Sequence, residues 1–97
     1  SDVYKRQIEH YEKEKTDIQK KIDDAAVNVK NLEDLITTLE SQKKYAAADE
    51  LNNINRQIAD VNKQLISANS NIKSLQSDIK TIDEKIDDYK AIKLIYE

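Results

Sequence analysis

The sequence predicts an all-α fold: an antiparallel two-helix coiled-coil hairpin that self-associates. Three observations carry that expectation. The 97 residues include no Gly and no Pro, so almost nothing in the chain stops a helix. Two runs of heptad-spaced apolar residues cover nearly all of it, and they differ in phase. The positions flanking the apolar stripe lack the charge pairs that hold a parallel dimer together.

The first run is Tyr4, Ile8, Tyr11, Ile18, Ile22, Ala25, Val29, Leu32, Ile36 and Leu39, stepping by four and three and interrupted only by Lys15. With Ile8 at position a, the tyrosines, Ile18, Ala25, Leu32 and Leu39 fall at d. A seam repeating every 3.5 residues is the mark of a coiled coil. Helix 1 is therefore expected over residues 2–41, with Ser1 or Asp2 as its cap.

The second run is Leu51, Ile54, Ile58, Val61, Leu65, Ala68, Ile72, Leu75, Ile79, Ile82, Ile86, Tyr89 and Tyr96, with Lys93 in the stripe. Extending the first phase from Leu39 puts a at Lys43 and Glu50, whereas the second run has it at Leu51, a slip of one residue. Thr37, Thr38 and Ser41 favour helix weakly, and Ala46-Ala47-Ala48 favours it strongly. The turn is accordingly expected at residues 42–45 and helix 2 at 46–97, within a single coiled-coil segment spanning 1–97.

The slip has another reading, a skip residue in one continuous helix that forms a parallel dimer. In such a dimer each g residue faces the e residue five places on. Those pairs run from Gln7–Glu12 to Leu35–Glu40 in helix 1 and from Gln57–Asn62 to Lys85–Lys90 in helix 2. None attracts, while Asp78–Asp83 and Lys85–Lys90 repel. A hairpin instead sets apolar residue against apolar residue, from Leu39–Leu51 through Ile36–Ile54, Leu32–Ile58, Val29–Val61 and Ile18–Ile72 to Ile8–Ile82 and Tyr4–Ile86. A register one heptad later, with Ile8 opposite Tyr89, serves the seam equally, and flanking charge is not expected to choose between them. In the first register Asp87–Glu97 overhangs, exposing Tyr89, Ile92, Leu94, Ile95 and Tyr96.

The stretch from Leu32-Glu33 to Lys44-Tyr45-Ala46-Ala47-Ala48-Asp49-Glu50-Leu51 resembles the UVR motif, a short helical hairpin that pairs with another hairpin in DNA-repair and Clp-adaptor proteins. Tyr45, Ala48 and Leu51 carry the likeness. Asn52-Asn53 stands where the motif has Arg-Asp, and Ile54 comes one residue early. The resemblance spans residues 32–54 and implies a turn before Tyr45; no repair function follows from it.

The chemistry of the chain points away from catalysis. No nucleophile–base pair, phosphate loop or metal-ligand spacing is present, so no cofactor, metal or enzymatic activity is expected. His10 is the single histidine, on the outer face with Glu14 one turn on, and a zinc site needs three or four ligands. Asp83, Glu84, Asp87 and Asp88 are interleaved with Lys80, Lys85 and Lys90 and read as a solvated face. The net charge of -3, with only Lys20-Lys21 and Lys43-Lys44 as basic spots, argues against nucleic acid and anionic membranes as partners. The lack of Cys suits a reducing, intracellular and cytoplasmic setting. With Ser1-Asp2 at its start and no Met, the chain is expected to be a segment of a longer protein.

The expected interaction seam is thus Ile8, Ile18, Ile22, Val29, Leu32, Ile36 and Leu39 against Leu51, Ile54, Ile58, Val61, Leu65, Ile72, Leu75, Ile79, Ile82 and Ile86. Tyr89, Ile92, Ile95 and Tyr96 are candidates for contact with a partner. Asn55, Asn62, Asn69 and Gln76 at e, with Gln57, Gln64 and Asn71 at g, flank the seam of helix 2 with uncharged amides. Amides hydrogen-bond where charges would suffer desolvation, so these shoulders suit a neighbouring helix. The expected partners are a second copy or other helical proteins, and the expected function is a structural coiled-coil spacer, arm or scaffold for oligomerisation. A lever or regulatory arm of an ATPase or other enzyme is the alternative, and a nucleic-acid-contacting arm a third, disfavoured by charge.

Overall fold

The computed structural model describes residues 2–96. It is an all-α helical hairpin of two helices, α1 (Asp2–Lys43) and α2 (Ala48–Tyr96). The backbone leaves the helix at residues 44–47 and side chains of α1 pack against side chains of α2, which removes the continuous-helix alternative. Of the two expected caps, Ser1 lies outside the described residues, and Asp2 sits in the first turn of α1, where its charge complements the helix dipole.

The turn comes two residues later than the expected 42–45. Thr37, Thr38 and Ser41 stay helical, each hydroxyl donating to the carbonyl four residues back, on Glu33, Asp34 and Thr37, at 3.1–3.2 Å. Leu39 beneath them is only 4% exposed, and its packing outweighs the weak local propensity. Past Lys43 the chain tightens: Tyr45 N–H donates to the Gln42 carbonyl at 3.2 Å and Ala46 N–H to the Lys43 carbonyl at 3.5 Å. Ala46 then packs against the apolar cluster, and the Ala47 carbonyl accepts the first bond of α2 from Leu51 N–H at 2.8 Å. Two of the three alanines expected to open helix 2 therefore build the turn instead. Among the described residues no φ is positive, so the reversal needs no glycine. Tyr45 lies in the turn, as in the expected 42–45, and is 90% exposed.

The chain forms two compact units. Residues up to Asp23 with those from Lys73 onward make the terminal unit, and Asp24–Ile72 make the turn unit. In the turn unit Leu39, Ile54 and Val61 are buried together, with Leu32, Ile36, Ala46 and Ile58 packed around them. In the terminal unit Ile8, Ile82 and Ile86 are buried, with Tyr11, Ile18 and Tyr89 against them.

Contacts in the terminal unit settle the register, and it is the later of the two. The Tyr4 ring lies 6.4 Å from both Tyr89 and Tyr96, which bracket position 93, one heptad beyond the Ile86 that the first register set opposite Tyr4. Tyr11 stacks on Tyr89 at 5.8 Å. Lys15 Nζ reaches Asp83 Oδ1 at 2.7 Å. Charge does choose, contrary to expectation. Glu14, Asp78 and Lys85 line one groove together. Moving α2 back by seven residues, about 10 Å at the helical rise, would take Asp83 away from Lys15. The overhang expected for Asp87–Glu97 is corrected too, because α1 supplies partners for Tyr89 and Tyr96; Glu97 lies outside the described residues.

Lys15 is the one charged residue in the stripe of α1, half-buried and paired. A half-exposed ion pair is worth only about 0–1 kcal/mol, whereas covering an isoleucine there gains apolar burial. Lys15→Ile should therefore raise the unfolding free energy by about 1 kcal/mol, read as a higher Tm by circular dichroism. A lower Tm would mean that the Asp83 pair outweighs the burial.

Candidate interaction surface

Every residue of the expected seam is buried or half-buried, and none is exposed. Of these, Ile8, Leu39, Ile54, Val61, Ile82 and Ile86 are buried, each with less than a tenth of its surface exposed. Ile18, Ile22, Val29, Leu32, Ile36, Leu51, Ile58, Leu65, Ile72, Leu75 and Ile79 keep part of their surface in water. Two helices give each other one stripe of contact, so residues at the edges of that stripe stay wet. The seam of α2 is flanked by exposed Asn55, Asn62, Asn69 and Gln76 on one shoulder and by exposed Gln57, Gln64 and Asn71 on the other.

The candidates near the end of α2 divide. Tyr89 and Ile92 are half-buried, whereas Ile95 and Tyr96 are exposed, and Leu94 is 85% exposed. The tyrosines form a group of their own, Tyr4 and Tyr11 from α1 with Tyr89 and Tyr96 from α2. Lys85 Nζ sits 5.4 Å from the Tyr11 ring centre, within cation–π reach. Offset and tilted rings add about 0.5–1.5 kcal/mol per pair beyond their buried area.

The charged groups make local contacts. His10 Nε2 is 3.7 Å from Glu14 Oε2, and its ring meets Tyr11 edge-on. No group of three metal-ligating side chains occurs among the described residues. Asp83 takes its partner from the other helix rather than from Lys80. That contact was legible in principle, as a charge in the stripe of one helix and an opposite charge at e of the other, once the register is known. Exposed Lys30 donates to Asp34 Oδ1 at 2.9 Å, and that bond with the carboxylate charge holds its ammonium above the ordinary lysine value. Its small contribution is complete below that ordinary value and is lost as pH rises through the raised one.

The grooves along the seam are open to solvent. One in the terminal unit is lined by Glu12, Lys15, Thr16, Asp83, Asp87 and Lys90 around Ile86, a mixed-charge wall. One in the turn unit is lined by Asn28, Leu32, Gln64, Ser67, Ala68 and Asn71, without a charge. No described helix is long and apolar enough to cross a membrane. What fold and surface define together is a helical hairpin with a partly covered seam. No protein-family model, curated protein or solved structure matches the chain.

Proposed function

We propose that this chain is a structural coiled-coil module that works by association, as a spacer, arm or scaffold whose hairpin docks on a second copy or on other helices. The observation that carries this is the half-covered seam. Eleven of its seventeen apolar residues keep surface in water, and the amides beside them on α2 carry no charge to repel a neighbour. A further pair of helices over that seam would finish the burial, giving a four-helix bundle. The buried clusters are built from apolar side chains of both helices.

Sedimentation equilibrium of the chain through the micromolar range tests this. The expected result is a species of two or more chains whose mass changes little between low and high salt, because apolar burial and amide contacts are weakly screened. A monomer throughout would overturn self-association. Assembly that collapsed steeply with salt, or binding to DNA or RNA with such a dependence, would favour an electrostatic partner instead.

A further inference from the structure

We propose that a second copy of the chain docks on one particular face of the turn unit, the face bearing Asn28, Leu35, Gln64 and Asn71; this rests on the self-association proposed above. On α1, Asn28, Asn31, Leu35, Thr38 and Gln42 follow one another in steps of three and four, and all are exposed. On α2, Gln57, Gln64, Ser67 and Asn71 do the same, with Asp60 among them. The shared groove proves that the two rows border one face, since Asn28 and Leu32 line it together with Gln64, Ser67, Ala68 and Asn71.

In a chain that is 36% charged, Asp60 is the only charge among these residues, and the α1 row meets its next charge at Asp24, one step before Asn28. The same heptad positions in the terminal unit carry Glu14, Asp17, Lys21, Asp78 and Lys85. Scarcity of charge is therefore a property of this face and not of the heptad positions.

That composition suits a copy of itself. A two-fold interface sets the same patch against itself, so a charged patch would meet its own sign. A face of amides and hydroxyls meets itself without repulsion, and each amide offers both donors and an acceptor to its counterpart. A strongly acidic partner would find no cation here to pair with, and a strongly basic one only Asp60. Leu35, 43% exposed, is the large apolar side chain on the face and supplies the anchor. The half-covered Leu32 and Ala68 in the groove are the apolar surface that the second copy would close over.

A charge-swap experiment on the whole chain tests the face. Two double variants are made, Gln64→Lys with Asn71→Lys, and Gln64→Glu with Asn71→Glu, and sedimentation is measured for each alone and for the mixture. All four substitutions are at exposed helical positions, and circular dichroism checks that helix content is kept. Each variant alone should dimerise at least about tenfold more weakly than the parent. The mixture should recover a dimer holding one chain of each kind, visible by native mass spectrometry. Ser70→Lys, on the outer side of α2, should leave the dimer unchanged. A parent dimer insensitive to both double variants, or equal weakening by Ser70→Lys, would overturn this face while leaving self-association standing. A monomeric parent would overturn both.

Discussion

Val61→Asp should lower the unfolding free energy by about 3–5 kcal/mol, the cost of a buried carboxylate without a partner. Val61 is 5% exposed and lies in a cluster made only of apolar side chains, Leu39, Ile54, Leu32, Ile36, Ile58 and Ala46. None of them can donate a hydrogen bond, and the shoulder residues beside Val61 are amides rather than lysines. The carboxyl must then be protonated, hydrated by opening the turn unit, or left unpaired. Urea unfolding followed by circular dichroism at neutral pH measures the loss. Asn62→Asp, one residue along and exposed, adds the same charge in water and should stay within about 0.5 kcal/mol of the parent. Similar losses for the two variants would mean that Val61 is not enclosed as described.

Ile82→Ala in the terminal unit should cost about 2–4 kcal/mol, by lost burial and the cavity left behind. Ile82 is 5% exposed and packed with Ile8 and Ile86. The chain reports on this site directly. Of its five tyrosines, Tyr4, Tyr11, Tyr89 and Tyr96 lie in the terminal unit and Tyr45 alone in the turn unit, and there is no Trp. Tyrosine fluorescence should therefore show the weakened transition, and hydrogen exchange should accelerate at amides before Asp23 and after Lys73. Uniform acceleration along the whole chain would instead mean that both clusters open as one.

The helices and their seam were legible because a two-helix coil has one repeating rule, and within each run of the stripe up to Ile86 only Lys15 departs from it. Lys15, the exception in the first run, is where the rule gives way to an ion pair. The turn was less legible. Thr37, Thr38 and Ser41 look like weak points in sequence, but their hydroxyls find carbonyl partners only within the helix, and Leu39 holds that helix from below. Ala46 looks like a helix residue and is used as a plug for the cluster. The register was underdetermined by the apolar residues, which repeat identically after seven. It is set by features with no such repeat: Lys15 with Asp83, and the four tyrosines.

The tyrosine group has a mechanical consequence. Tyr4 lies near the start of α1 and Tyr96 closes α2, yet their rings stack at 6.4 Å. A load pulling the outer ends of the two helices apart is first met by this stack and by the neighbouring Tyr4–Tyr89 contact. Such a load acts across the seam rather than along it. Contacts then give way in sequence instead of sharing the strain, and the aromatic group is the latch that must open before the isoleucines behind it feel any force.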